Sequence, residues 1–363
     1  MYTLDEVLHP RVMTETYVEE AGKYFHHPLV EFYGRQSRDY TGDRFEFAYR
    51  EAMKEPAPAN FRGQPARVLQ PTSAAERRVY MLHAFNEVNL STESLRMVRR
   101  PDDQTLQEQG REEIHRQMED FGDRHLIFRA VCLAKTLVDG EIHFNNEGQV
   151  LESSSGASYT VDFGVPDGHK GQLDFNGSGD LIGTRWSSTS AKILDDLDDI
   201  RIAAEEENAE EPKHIWLHHS AKRWLRDNTQ LQQYVQGSPE KIDQVLRGSF
   251  IEDLNGWTWH FYSGRYAAAD GTTKPYIPVD RAIITPDVGP WLRAVNGSEM
   301  ITGFEGLRST IDEALGEITE VFGDFAYVKL VDNPTKLVLR MGTNFVYAFA
   351  NPKAVWMPTV DFT

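Results

Sequence analysis

Residues 111–140 read REEIHRQMEDFGDRHLIFRAVCLAKTLVDG, and this stretch decides the architecture expected for the whole chain. Apolar side chains recur through it mostly three to five residues apart, which is the pattern of a helix with one buried stripe. Upstream, Pro101 suits a first helical position, and the two acids after it suit the positive end of the helix dipole. Downstream, Gly140 is a natural C-terminal cap. The sequence therefore predicts a helix over 102–138, roughly 55 Å long, with one face packed and the other in water.

The same stretch raises a competing interpretation, a metal site. Glu112 and His115 have the Glu-x-x-His spacing with which di-iron bundle proteins present metal ligands. Such a site needs a second pair on a facing helix, and the other match, Glu211 to His214, contains Pro212, which disfavours a helix there. We therefore interpret these residues as a solvated helix face with incidental histidines, and we expect no catalytic residue, cofactor or metal. A metal-dependent oxidoreductase is the alternative from another functional class, and stoichiometric iron or manganese would favour it.

The composition narrows the functional class further. The chain has 363 residues, a formal net charge of −18, 40% hydrophobic residues and 26% charged residues. These are values of an ordinary globular protein with room for two or three packed units. Proteins that grip nucleic acid through its phosphates are usually basic, so the acidic balance argues against that activity. We find no run of about 18 apolar residues that predicts a membrane span, no secretory signal, and a single cysteine, Cys132, which cannot form an internal disulfide.

A projecting arm is predicted before the long helix. Residues 43–52 and 77–91 are rich in aromatic and β-branched residues and are each predicted to form a strand. The segment between them contains four prolines and a glycine, which disfavour regular structure. Loops of that length are usually functional or disordered. We therefore predict a two-stranded arm that extends from the body of the protein.

The chain after the long helix mixes strands and helices. Short strands of a small sheet are predicted over 141–164, and a helical region follows. Residues 257–286 predict a β-hairpin that turns at Asp270 and Gly271, and further strands close the chain. The predicted fold class is α+β.

Four stretches, in their order along the chain, resemble the major capsid proteins of tailed phages. They are AAERRVYMLHAFNEVNLSTE (74–93), SYTVDFGVP (158–166), YSGRYAAADGTTKPYIPVDRAIIT (262–285) and FANPKAVWMPTVDF (349–362). The chain most closely resembles the lambda-type capsid protein E family, which is built on the Hong Kong 97 capsid fold.

This resemblance implies a layout for the whole chain: a long spine helix, a peripheral sheet, an axial α/β domain and two extensions. The implied segments are an N-terminal arm (1–40), an extended two-stranded loop (41–92), a peripheral domain with the spine helix (93–187), an axial domain (188–323), and C-terminal strands that return to the peripheral domain (324–363).

The resemblance also implies the function. The chain would be a major capsid protein, a structural subunit that assembles as hexamers and pentamers into the icosahedral head shell around double-stranded DNA, without binding the DNA specifically. It would lie in the host cytoplasm before assembly and in the virion afterwards. The implied partners are further copies of the chain, a portal, a decoration protein and a separate scaffolding protein. The scaffolding protein is separate because the N-terminal arm (1–40) is too short to act as one. The alternative with the same fold is an encapsulin-type cargo shell.

Covalent cross-links are not predicted. Some relatives join subunits through a loop lysine and an asparagine, but Lys54 is the single lysine of this loop and we identify no partner for it.

The resemblance finally places the extended loop over the spine helix of an adjacent subunit. The loop carries arginines and apolar residues, and the first half of the helix carries carboxylates. The alternative is that both are ordinary solvated faces. The predicted contact residues are Phe61, Arg62, Arg67, Leu69, Arg77 and Arg78 on the loop, and Glu108, Glu112, Glu113 and Glu119 on the helix.

Overall fold

The computed structural model describes residues 10–20, 27–34, 37–49, 75–90, 104–171, 182–207, 209–235, 250–302, 318–332 and 335–361. The α-helices in these ranges are α1 Pro10–Glu20, α2 Pro28–Tyr33, α3 Gln104–Val138, α4 Ile193–Glu206, α5 Ala221–Asp227 and α6 Thr229–Val235. Short 3₁₀ turns lie at Asp167–His169 and Pro352–Ala354. The strands are β1 Ser37–Tyr40, β2 Arg44–Tyr49, β3 Ala75–Tyr80, β4 Leu82–Asn89, β5 Glu141–Phe144, β6 Val150–Leu151, β7 Tyr159–Asp162, β8 Lys170–Gly171, β9 His214–His218, β10 Phe250–Leu254, β11 Trp257–Tyr262, β12 Arg265–Ala267, β13 Thr273–Pro275, β14 Ala282–Thr285, β15 Leu292–Thr302, β16 Ile318–Phe322, β17 Asp324–Asp332, β18 Thr335–Phe349 and β19 Met357–Pro358.

A six-stranded sheet is organised around β18, a strand of 15 residues. Strands β17 and β15 pair with it one after the other along one edge, and β4 pairs along the opposite edge. Strand β15 in turn pairs with β1 in parallel and with β16 antiparallel. The predicted α+β class is confirmed by this sheet, the long helix and the smaller sheets below.

The long helix α3 lies on one face of this sheet, and its predicted end is confirmed. Val138 is its last residue, and Gly140 adopts a left-handed conformation with φ of 69° while its N–H donates to the Thr136 carbonyl oxygen. The glycine is needed there because side chains disfavour that conformation. Residues 102 and 103, at the predicted start, lie outside the described residues.

The prediction of one packed and one solvated face is wrong for the last nine residues of α3. The side chains from Ala130 to Val138 are all buried. The reason is that α2, β5, β14 and β18 surround this end of the helix. Between Glu112 and Phe128, buried and exposed side chains mix along the helix, as predicted for a surface beam.

A second core lies between a four-stranded sheet, in the order β10-β11-β9-β14, and helices α4, α5 and α6. Four tryptophans, each with at most 1% of its surface exposed, anchor it: Trp186, Trp257, Trp259 and Trp356. The remaining sheets are the predicted small sheet, in the order β6-β5-β7, and the pairs β12–β13, β8–β19 and β2–β3. The predicted turn at Asp270 and Gly271 joins β12 to β13, with the Ala268 N–H donating to the Thr272 carbonyl oxygen.

The strand predicted over 77–91 is in fact two strands that belong to different sheets. Strand β3 pairs with β2 in the arm, whereas β4 joins the six-stranded sheet. Met81 alone separates them, and its N–H donates to the Asp43 carbonyl oxygen. The sequence gives no sign of this break because the run contains neither glycine nor proline.

The described part of the N-terminal arm packs against the body of the protein. Met13 and Tyr17 of α1 are buried against α3 and the six-stranded sheet, together with Ile114, Val328 and Leu339. Helix α2 lies against the second half of α3. This arm therefore covers part of the main core.

Candidate assembly surfaces

The base of the two-stranded arm, β2 and β3, has one apolar and one charged side. Phe45 and Val79 are buried in the main core. On the other side, Arg78 Nε lies 2.9 Å from Glu46 Oε1, and the Arg44 guanidinium lies over the Tyr80 ring. Tyr80 keeps 54% of its surface exposed. The arm thus presents a solvated surface of charges and an aromatic ring where it leaves the body.

The structure describes only part of the predicted loop contact. Phe61, Arg62, Arg67 and Leu69 lie outside the described residues. Arg77 lies on β3 opposite Phe47 in the strand register. Arg78 is already paired within its own chain, because Glu46 faces it across the hairpin. The sequence did not identify Glu46 as the partner of Arg78, because that pairing depends on the register of β2 and β3.

The predicted acidic face of α3 is present and partly neutralised within the helix. Glu112 is exposed. Glu113 lies 3.7 Å from Arg116 and accepts a hydrogen bond from Gln117. Glu119 is half-buried, and Glu108 lies in the helix. Within the described chain, no loop arginine contacts these carboxylates, so the structure does not bring the two predicted surfaces together in one subunit.

The two histidines of α3 have different environments. His115 is exposed, as the solvated-face interpretation predicts. His125 is 3% exposed and bonded through Nδ1 to the Tyr17 hydroxyl of α1 and through Nε2 to Asn86 Oδ1 of β4, at 3.0 Å. The prediction that both histidines are incidental is therefore wrong for His125.

Burial controls the charge of His125. It lowers the pKa of the imidazole to about 4, with a smaller opposing effect from the carboxylate of Asp324. The ring is therefore neutral near pH 7 and joins α1, α3 and β4 through hydrogen bonds. A signal was present in the sequence, because His125 follows Phe121 by four residues and precedes Phe128 by three, a spacing that places it near the apolar stripe.

A charged network around the buried Lys135 fixes the C-terminal end of α3. Lys135 Nζ lies 2.8 Å from Glu152 and 3.2 Å from Asp139, and the Tyr266 hydroxyl donates to Glu152. Burial acts to lower the pKa of Lys135, but the two carboxylates outweigh it and raise that pKa above its ordinary value. The network ties the spine helix to the segment after β6 and to the β12–β13 hairpin.

The described residues lack two general features. None of their helices combines the length and the apolar composition needed to cross a membrane. They contain no group of three or more His, Cys, Asp or Glu side chains placed to hold a metal ion.

Several solved structures are similar to this chain. One is a phage-related protein of Bordetella bronchiseptica RB50 (TM-score 0.48, 9% identity, 97% of each chain covered). The chain is also similar to a protein assigned as a prophage capsid protein of Escherichia coli CFT073 (TM-score 0.46, 14% identity, 79% of this chain and 80% of that one). A third similar structure is that of Gordonia phage Cozz (TM-score 0.43, 12% identity, 90% of this chain and 85% of that one). Comparison with curated proteins gave no match.

The family model of phage major capsid protein E matches residues 16–297, well over half of the 363-residue chain. The match confirms the resemblance inferred from the four sequence stretches. The family is one of structural capsid proteins rather than enzymes. The chain therefore belongs to the phage major capsid protein E family.

Proposed function

We propose that this capsid subunit assembles as hexamers and pentamers into a closed icosahedral head that encloses double-stranded DNA. The axial domain (188–323) faces the centre of each capsomer. The peripheral domain (93–187 with 324–363) and the two extensions contact neighbouring subunits. A separate scaffolding protein, a portal and a decoration protein are the further partners, and the chain lies in the host cytoplasm before assembly.

One observation supports the proposal beyond family membership: the two-stranded arm presents exposed charged and aromatic side chains. Strands β2 and β3 pair with each other and, in the described chain, with no other strand. Arg44, Glu46, Arg78 and Tyr80 are exposed along the arm. Side chains exposed in this way add little to the stability of their own subunit, whereas they are available to a neighbour.

The arm docks on the spine helix of the adjacent subunit, with its basic side on the acidic face of α3. Glu112 favours this arrangement, because it is exposed and has no ion pair in the described chain. Each exposed charge pair contributes about 0–1 kcal/mol, so charge alone is too weak to hold two subunits. Apolar contacts from Phe61 and Leu69 supply the remainder.

Electron microscopy of the purified chain tests the proposal. We expect rings of six and closed shells, with DNA in particles taken from infected cells. Particles that hold a protein cargo in place of DNA would favour the encapsulin-type alternative. A chain that stays monomeric at every concentration and carries stoichiometric iron or manganese would overturn the proposal in favour of the oxidoreductase.

Charge reversal tests the arm contact separately. Changing Arg77 and Arg78 to Glu should block assembly, and adding Glu112→Arg and Glu113→Arg should restore it. Because reversal at Arg78 also removes its ion pair with Glu46, Glu46→Gln is the matched control. That variant loses the same pair but keeps the arginine, and it should assemble normally. Assembly that is unaffected by the reversal and by raised salt would leave apolar contacts as the whole explanation.

A further inference from the structure

A cluster of basic side chains lies at one end of the four-stranded sheet. It is formed where β9 ends, α5 begins and β12 begins, and the Tyr262 carbonyl oxygen at the end of β11 accepts from the N–H of His219. We call this cluster the axial basic surface. Its members are His218, His219, Lys222, Arg223 and Arg265.

Two arginines of this surface carry positive charge that no ion pair in the described part of the chain neutralises. Arg223 and Arg265 are exposed, and neither has an ion pair in the described chain. The Lys222 ammonium lies 4.9 Å from the centre of the Phe261 ring. His218 pairs in the strand register with Tyr262, three residues before Arg265. Burial, and then the charges of Arg265 and His219, lower the pKa of His218. Such a cluster is unexpected in a chain with a net charge of −18.

Helix α4 presents the opposite charge on its outer face. Leu194, Leu197, Ile200 and Ala204 are buried on the inner side. The outer side carries Ile202, which is 55% exposed, among carboxylates. We call it the acidic helix face. Its carboxylates are Asp195, Asp198, Asp199, Glu205 and Glu206.

Part of the negative charge of the acidic helix face is also unpaired. Lys192 lies 3.4 Å from Asp195, and Arg201 lies 3.8 Å from Asp198. The other three carboxylates have no ion pair in the part of the chain that the structure describes. The exposed Ile202 in their midst is the kind of apolar centre within a polar rim that marks a contact site.

The two surfaces are held by one rigid core. Side chains of α4, α5, β9 and β11 pack together in the same cluster around the buried tryptophans. Identical subunits arranged around a rotation axis make heterologous contacts, in which one surface of each subunit meets a different surface of the next. A chain that carries two complementary surfaces on one unit is suited to such a ring.

We propose that the axial basic surface of one subunit binds the acidic helix face of the next subunit around the capsomer axis. Arg223 and Arg265 face the unpaired carboxylates, and Ile202 contributes the apolar contact. This proposal rests on the proposed function, because the contact exists only in a ring of subunits. A second copy is favoured over DNA as the partner because the same unit carries the acidic helix face, which repels phosphates.

Charge reversal of each surface, singly and together, tests the contact. The basic-reversed chain carries Arg223→Glu and Arg265→Glu, and the acid-reversed chain carries Asp199→Lys and Glu206→Lys. Each reversed chain alone places like charges across every contact and should fail to form rings. A chain with all four changes again has complementary surfaces and should assemble.

Mixing the two reversed chains gives a sharper result. Opposite charges then meet only where the two chains alternate, so rings need an even number of subunits. We expect hexameric rings, sheets or tubes by electron microscopy, and no pentamers and therefore no closed shells. No model in which the surfaces act independently produces this dependence on parity.

Control variants distinguish loss of the contact between subunits from misfolding and from loss of a different partner. Arg226→Glu alters an exposed arginine of α5 outside the axial basic surface and should assemble normally. Neutral Arg223→Gln and Arg265→Gln changes avoid like-charge repulsion and should raise the critical subunit concentration by about tenfold. Normal shells from either reversed chain would overturn the proposal, and so would loss of DNA packaging alone in the basic-reversed chain. If the unmodified chain forms no rings at all, the proposed function fails instead.

Discussion

At the scale of single residues, His125 joins three elements that are far apart in the chain. Its two ring nitrogens contact Tyr17 of α1 and Asn86 of β4, while its backbone belongs to α3. A buried polar group left without its partner costs about 1–3 kcal/mol. His115 lies on the same helix but is exposed, so the two histidines form a matched pair for experiment.

His125→Ala should lower the free energy of unfolding by about 2–4 kcal/mol, because it leaves the buried Tyr17 hydroxyl without its partner and opens a cavity. His115→Ala should change it by less than about 0.5 kcal/mol. Chemical denaturation of the two purified subunits measures both. Equal effects would contradict the assignment of different roles to the two histidines.

The buried histidines also predict an acid-sensitive fold. Burial lowers the pKa of His27 and His125 to about 4 and that of His260 to about 3, below the ordinary value of 6.5. The unfolded chain therefore binds protons in this window while the folded chain does not. Stability should be full above about pH 6.5 and should fall as the pH drops toward 4, by up to about 1.4 kcal/mol per pH unit for each histidine.

Denaturation at a series of pH values checks this expectation. His125→Gln keeps a hydrogen-bonding side chain but removes the titrating group, so its stability should depend less on pH than that of the unmodified chain. The same pH dependence in both proteins would exclude a contribution from His125.

At the scale of elements, β18 depends on a glycine in its interior. Gly342 pairs with Phe325 on β17 and with Phe85 on β4, and the rings of these two residues meet 5.9 Å apart. A Cβ at Gly342 would collide with the Phe325 ring and would lie 2.9 Å from the Ala84 carbonyl oxygen. A glycine in a strand interior has a conformational cost, but here its missing side chain leaves room for the aromatic contact.

Gly342→Ala should lower the free energy of unfolding by about 1–3 kcal/mol, because the new methyl group has no space. Gly168→Ala is the control, since a Cβ there would meet nothing within 4 Å. Thermal unfolding of both variants tests the expectation, and a stable Gly342→Ala subunit would show that the rings can move aside.

The two-stranded arm formed by β2 and β3 should contribute to assembly more than to folding. Replacing residues 54–72 with a short Gly-Ser turn keeps β2 and β3, whose Phe45 and Val79 are buried in the main core. We expect a folded subunit with an unchanged unfolding transition that forms no closed shells in the electron microscope. Normal shells from this variant would contradict the assignment of the arm to assembly.

Elements that depend on neighbouring residues in the chain were predictable from the sequence. The apolar stripe and Gly140 gave the course and end of α3, and Asp270 with Gly271 gave the hairpin turn. The break at Met81 and the pairing of Arg78 with Glu46 were not predictable, because both depend on strand register. The residues of the contact between subunits stay a prediction, since they depend on a second copy of the chain.

At the scale of the whole molecule, the net charge of −18 bears on the DNA that the proposed shell encloses. A wall rich in carboxylates repels phosphates, so DNA can be condensed inside and later released without adhering. Free subunits should therefore show no measurable binding to double-stranded DNA at physiological salt. Fluorescence anisotropy with a labelled duplex measures this, and tight binding would count against the electrostatic role.

The pairing pattern of β18 has a mechanical consequence. Strand β17 ends its pairing at Thr343, β15 begins at Phe345, and β4 spans this junction from the opposite edge, from Val338 to Phe345. The arrangement is a lap joint, in which a continuous central member is overlapped on both sides of a splice. A tension along the strands loads the hydrogen bonds of several pairings in shear at once, instead of opening them one by one. The sheet is therefore stiffest along the direction of β18.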